Sequence, residues 1–302
     1  MAIEALFAAL WGREEEEDLD VVALAFADGP SSRRVQEALE RASPVERRRL
    51  VEQLRGCVQR ALLSPHANYV VKAAVELSPI DDLGFLLLEV ERSVTSLAMN
   101  QYACRTLISL VKCFGTHSAL LPILGLIAEM APRLMVNRYG HFVVDALVEY
   151  GPSELRQRVA EYIESKVLGH ARHRCASYTL QTVLVHCSGA ARAAISAQLV
   201  EQAGELVTTY EGSHVLGTLR DVALEQDDNE LAERLTKVLL DAYDDGQRIP
   251  RKLGRALSGC SSIECALPGC ALSGCALPGV SRSDAREPLE KSVRRRRRAK
   301  GV

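Results

Sequence analysis

Aromatic residues are scarce, at 5% of the 302, with a single tryptophan. The core of such a chain must come from leucine, valine, isoleucine and alanine, which make up most of a 47% hydrophobic share. That composition favours helix packed on helix over a sandwich or barrel. No apolar run approaches the ~18–20 residues a membrane span needs, so no membrane partner is expected. The N-terminus lacks a basic segment ahead of an apolar one, so no secretory signal is expected. His-Glu-x-x-His is absent, and no glycine run has phosphate-loop spacing. The sequence therefore predicts no catalytic residue, no cofactor and no metal, and the chain reads as a non-enzyme.

A strong net charge is missing as well. The formal value of −2 does not announce a nucleic-acid binder, but its distribution is uneven. Residues 1–20 hold seven acids and one base, with Glu14 to Glu17 at the centre, while residues 291–300 hold seven bases and no acid. Residues 21–220 are nearly balanced, at 21 basic and 19 acidic, so any RNA affinity there cannot rest on bulk charge. The nine cysteines read as free thiols in a reducing compartment. Four of them, Cys260, Cys265, Cys270 and Cys275, recur every five residues in the frame ALPGCALSGCALPG. Structural zinc sites pair their ligands two to four residues apart in a folded knuckle, so this ladder reads as low-complexity tail.

What the chain does have is a repeat. Six segments align: 29–39, 65–75, 101–111, 138–148, 174–184 and 210–220. With the fourth residue of each as position 1, the series is Ser32, Asn68, Cys104, His141, Ser177 and Ser213, spaced 36, 36, 37, 36 and 36 residues apart. So steady a period marks a stacked solenoid. The residue before position 1 is always small (Ser31, Ala67, Ala103, Gly140, Ala176, Gly212), which permits close approach of a neighbouring backbone. Positions 4 and 7 are aliphatic throughout and share one helical face. Positions 1, 2 and 5 lie on roughly the opposite face.

Position 2 reads Arg33, Tyr69, Arg105, Phe142, Tyr178 and His214. Each of these side chains is flat. Flat groups repeated once per unit suit stacking on nucleobases; packing between adjacent repeats is the alternative. Between the motifs, Ser43-Pro44-Val45-Glu46 is a capping box with proline at the first helical position. Ser78-Pro79-Ile80-Asp81 and Gly151-Pro152-Ser153-Glu154 read as further helix starts. Each repeat is thus expected to hold a short helix, the motif helix and a third amphipathic helix. Leu231, Leu235, Val238, Leu239 and Ala242 form an apolar stripe that would cap one end, and Ile3, Leu6, Phe7, Leu10 and Trp11 would cap the other.

The segments NYVVK (68–72), CRTLI (104–108), HFVVD (141–145) and SYTLQ (177–181) resemble the five-residue recognition motif of the Pumilio (PUF) RNA-binding repeats, and SRRVQEALERASPVERRRLVEQL (32–54) looks like a first such repeat. Tetratricopeptide and ankyrin signatures are absent. The resemblance implies an all-α fold, a right-handed α-solenoid or crescent of about six three-helix PUF-type repeats with helical caps. The expected organisation is an acidic N-terminal segment or capping helix at 1–19, a repeat domain at 20–245 and a low-complexity tail at 246–302. The family implies base-edge contacts from positions 1 and 5 and a stack from position 2, one base per repeat, with the RNA antiparallel to the protein.

The RNA-binding residues carried over are Ser32, Arg33, Gln36, Asn68, Tyr69, Lys72, Cys104, Arg105, His141, Phe142, Asp145, Ser177, Tyr178, Gln181, Ser213 and His214. Ser32 with Gln36, and Ser177 with Gln181, look like adenine-type pairs. Asn68 fits a uracil-type pair but has Lys72 as its partner. Ile108 cannot hydrogen-bond a base, Gly217 has no side chain, and His141 and Asp145 are placed to bond each other. The guanine-type Ser/Glu pair appears nowhere. The expected partner is single-stranded RNA, as messenger 3′ untranslated regions or ribosomal RNA, bound by a monomer. Three roles follow: post-transcriptional regulation of messenger RNA, nuclear or nucleolar ribosomal RNA processing with relaxed sequence preference, and a protein-binding scaffold without RNA. The first places the chain in the cytoplasm. The Arg294 to Arg298 run, read as a nuclear-import signal or RNA-backbone tether, points to the second.

Overall fold

The computed structural model describes residues 20–244, and side chains as far as Ala242. The acidic N-terminal segment with its apolar stripe, the cysteine ladder and the terminal arginine run lie outside the described residues. The chain divides into two units, Met1–Ser258 and Gly259–Val302, and only residues of the first are described.

Helices account for the described elements, and no strand occurs among them. The order repeats in threes. The first unit is α1 (Val21–Ala27), α2 (Gly29–Arg41) and α3 (Pro44–Glu52); the second is α4 (Val58–Leu63), α5 (Ala67–Leu77) and α6 (Gly84–Glu91). Next come α7 (Val94–Ala98), α8 (Ala103–Phe114) and α9 (Leu121–Glu129), then α10 (Ala131–Leu134), α11 (Gly140–Tyr150) and α12 (Ser153–Glu164). The series closes with α13 (Val167–Arg172), α14 (Ala176–His186) and α15 (Ala190–Glu201), then α16 (Ala203–Leu206), α17 (Tyr210–Glu225) and α18 (Asn229–Asp244). Helices α2, α5, α8, α11, α14 and α17 carry the six motifs and pack in a row, each on the next. The third helices pack in a second row, α6 on α9, α9 on α12 and α12 on α15. This is the short helix, motif helix and third helix expected for each repeat.

Aliphatic periodicity builds the core as expected. Val71, Val144, Leu180 and Leu216 at position 4, and Ala74, Leu110, Leu147 and Val183 at position 7, are fully buried. Burying each larger side chain contributes roughly 1.5–3 kcal/mol. The C-terminal stripe behaves in the same way, with Leu235, Leu239 and Ala242 buried against the last motif helix.

A recurrent cap starts each motif helix. Four residues before position 1 stand Asp28, Ser64, Asn100, Asn137, His173 and Thr209. Each accepts a hydrogen bond from one or two first-turn backbone N–H groups, at 2.7–3.2 Å. These bonds satisfy donors that the helix itself leaves open. Asn137 serves both Tyr139 and Gly140, so Asn137→Ala is expected to lower stability by about 1 kcal/mol, read as a shift of the urea midpoint without loss of helicity.

The small residue before position 1 has its reason in the same turn. A Cβ on Gly140 would lie 2.8 Å from the Leu134 carbonyl oxygen, and one on Gly212 would lie 2.2 Å from that of Leu206. The backbone approached is the end of the preceding short helix of the same repeat. At the other end, Arg47 donates to the carbonyls of Leu39 on α2, of Ala42 just past its end and of Leu77 on α5. Arg156 and Arg192, at the equivalent place in later repeats, donate to the carbonyls of His186 and Cys187. A guanidinium with five donors bridges open helix C-termini, where the dipole favours a cation.

The capping box at Ser43 forms as expected, with Glu46 Oε2 accepting from the Ser43 N–H at 2.9 Å. Ser78 does not open a helix in that way. The chain makes a 3-10 turn at Ile80–Leu83 with no side-chain cap, and α6 starts at Gly84. Tight i to i+3 bonding, as from the Asp82 N–H to the Pro79 carbonyl, satisfies the backbone there, and the buried Ser78 hydroxyl has no hydrogen-bond partner.

Candidate nucleic-acid interface

The motif residues do not all share one open face. Every position-1 side chain is buried: Ser32, Asn68, Cys104, His141, Ser177 and Ser213 are at most 3% exposed. Helical geometry gives the reason. At ~100° per residue, positions 3, 4 and 7 centre on the core, positions 2 and 5 straddle the outward direction, and positions 1 and 6 fall on the flanks. In a row of packed motif helices the flanks meet the neighbouring helices. Ser32 Oγ accordingly donates to the His66 carbonyl of the next repeat at 2.8 Å. Asn68 and Ser213 turn back to the carbonyls of Ser64 and Tyr210. The open strip therefore consists of positions 2 and 5.

Position 2 supplies its flat surfaces. Tyr69 is 41% and Tyr178 39% exposed, Arg33 is exposed, and Arg105, Phe142 and His214 are half-buried. Some of these groups also touch one another. Arg105 Nη1 donates to the Tyr69 hydroxyl of the preceding repeat at 3.2 Å. The His141 ring lies parallel to Tyr178, with centroids 5.5 Å apart, and close to Phe142 at 3.8 Å. The column thus braces its neighbours at these repeats, the reading of packing between repeats, and still leaves part of the Tyr69 and Tyr178 rings exposed.

Position 5 supplies the polar groups. His141 Nδ1 and Asp145 Oδ2 lie 3.3 Å apart, the pairing their spacing suggests. Asp145 Oδ1 accepts from the Thr179 hydroxyl of the next repeat at 2.6 Å. Lys72 pairs with Glu76 on the same helix, and Glu76 also accepts from Ser109 one repeat on, at 2.8 Å. Gln36 Nε2 donates to the carbonyl and hydroxyl of Ser32. Ile108 is half-buried, Gly217 is buried, and neither offers a polar side chain.

Burial holds the Asp145 carboxyl above the usual carboxylate range, against the opposing pull of His141 and Thr179. The folded state therefore keeps this proton longer than the unfolded chain does. Its contribution to stability falls as pH rises from the ordinary carboxylate value through the raised one. Asp145→Asn removes that fall, so its thermal midpoint should gain on wild type as pH rises above the ordinary carboxylate range; a constant difference would refute the assignment.

Among the described residues the thiols are held toward the protonated form. Desolvation pushes Cys104 up to about 11, and Cys57, Cys113, Cys175 and Cys187 rise for the same reason. A thiol held protonated attacks poorly. Among the described residues no three histidine, cysteine or acidic side chains come together as a metal site, and no helix is long and apolar enough to cross a membrane.

Two features of the site escape the motif alignment. The cap column Asp28, Ser64, Asn100, Asn137, His173 and Thr209 is mostly of cap-forming type, so a register four residues upstream would have revealed it. The arginine at 15 residues past position 1 is present in three of six copies, as Arg47, Arg156 and Arg192.

The architecture is that of a helical-repeat solenoid. The model of the Pumilio-family RNA binding repeat matches residues 35–55, 93–113, 132–163 and 171–200. A putative pumilio homolog 13 of Arabidopsis thaliana is 26% identical over 121 residues, 40% of this chain but only 23% of that protein's length. The Puf3 RNA binding domain, solved bound to a Cox17 RNA 3′ UTR recognition sequence, superposes with a TM-score of 0.68 at 20% identity, over 80% of this chain and 73% of that one. PUF-8, solved in complex with PBE-RNA, gives 0.63 at 17% identity, over 74% and 72%. The RNA-binding domain of yeast Puf5p, solved bound to SMX2 RNA, gives 0.59 at 19% identity, over 74% and 69%. Four segments of the chain thus match Pumilio-family repeats, and its fold is that of solved PUF domains.

Proposed function

We propose that this chain binds single-stranded RNA along the row of motif helices and through it regulates messenger RNA after transcription, at translation or decay. The observation that carries the reading is the position-2 column: Arg33, Tyr69, Arg105, Phe142, Tyr178 and His214 present one flat group per repeat, and none is buried. Stacking accepts any base, because every base has a π-face. Support comes also from the solved PUF domains of like fold, whose structures contain RNA. The near-neutral repeat block implies an interaction of moderate salt dependence, since few phosphates would be neutralised. The reading gives the protein no chemistry of its own.

Fluorescence anisotropy with a labelled random RNA pool tests it, with duplex RNA of the same length as control. Saturable binding of the single strand in preference to the duplex is expected. Absence of single-strand binding at micromolar protein would leave the scaffold role as the better account.

A further inference from the structure

Adjacent repeats are tied together by the side chains that would otherwise read bases. Gln181 at position 5 of α14 has both ends of its amide occupied within the protein. Its Nε2 donates to the Ser177 carbonyl at 3.0 Å, and its Oε1 accepts from the Thr218 hydroxyl on α17 at 3.0 Å. Asp145 is tied in the same way, through Thr179 on α14 and His141 on its own helix. Both threonines are buried, Thr179 at 0% and Thr218 at 4% exposure; the Thr218 hydroxyl also lies 3.2 Å from the His214 carbonyl of its own helix, with Gln181 Oε1 the nearer acceptor.

We infer that Thr179 and Thr218 set how much sequence this chain reads, by holding Asp145 and Gln181 in protein hydrogen bonds rather than leaving them to a base. The inference rests on the RNA-binding reading above. A glutamine amide that reaches a base edge donates and accepts together, a pattern adenine complements. The bonds to Ser177 and Thr218 fix the direction of the Gln181 amide, and turning it onto a base facing α14 exchanges them for the base contact, which leaves little net discrimination. The RNA is held by its stacked faces, and the edges go largely unread at these two repeats. The lock also stiffens the row, since each tie spans one repeat boundary.

The test is selection of bound RNA from a random pool by wild type, Thr218→Val, Thr218→Ser and the double variant Thr218→Val/Gln181→Ala. Valine keeps the threonine shape and removes the hydroxyl, and thermal unfolding verifies that each variant folds. Wild type and Thr218→Ser should show no base preference at the nucleotide facing α14. Thr218→Val should acquire a preference for adenine at one position, about fivefold or more over the other bases, and the added Gln181→Ala should abolish it. An unchanged base profile in Thr218→Val, or a clear adenine preference already present in wild type, overturns the inference and leaves RNA binding standing. If wild type retains no RNA, the RNA-binding reading fails and this inference fails with it.

Discussion

Alanine at Tyr69 or Tyr178 is expected to weaken RNA binding by about 1–3 kcal/mol for each lost stack. These two are the sharpest tests of the position-2 column because each ring is about two-fifths exposed, at 41% and 39%. Neither lies in the core, so helicity should survive. Phe142 should show a similar loss in affinity, but its ring is half-buried beside His141, so Phe142→Ala will also cost some stability. Tyr69→Phe separates the ring from its hydroxyl. It keeps the face for stacking and removes the acceptor for Arg105, so it should retain most of the affinity. Equal binding by wild type and all three alanine variants, with intact circular dichroism, would show that the column only braces the repeats.

Gly212→Ala is expected to destabilise the repeat block by about 2–4 kcal/mol, combining the strain of overpacking with the loss of a helix cap. The new Cβ would fall 2.2 Å from the Leu206 carbonyl oxygen and 2.6 Å from Thr209 Oγ1. The carbonyl belongs to backbone and cannot step aside. Moving the Thr209 hydroxyl breaks its bond to the Gly212 N–H, the cap of α17. Gly204→Ala, eight residues earlier in α16, is the matched control. Its Cβ would meet nothing within 4 Å, and alanine there should stabilise by about 0.4–1 kcal/mol. Denaturant melts of both variants read the contrast, and similar midpoints for the two would contradict the packing described at the α16–α17 turn.

Much of this protein was legible from periodicity. A 36-residue period with aliphatic residues at positions 4 and 7 requires helices that bury one face, and a unit that cannot bury that face alone must stack. Val71, Val144 and Leu180 lie in the core for that reason. The glycine or alanine before position 1 pointed to a close backbone approach, and Gly140 and Gly212 show it. The turn after Ser78 was less legible, because Ser-Pro-x-Asp is compatible with either an α-helical start or a 3-10 turn, and the packing of Ile80 and Leu83 in the core accompanies the latter.

The sequence by itself determined the repeat, its helices, its core face and the column of flat side chains. Only the tertiary structure decided what the other motif positions do. On a single helix position 5 lies near the outward direction and position 1 on a flank, and both are off the core face. Packing the helices in a row covers the flank that carries position 1 and leaves position 5 at the rim, where Thr179 and Thr218 of the following repeats reach Asp145 and Gln181. A helical wheel fixes angles about one axis, whereas which polar groups remain open to a ligand depends on the neighbouring axes, and those are set by how the repeats stack.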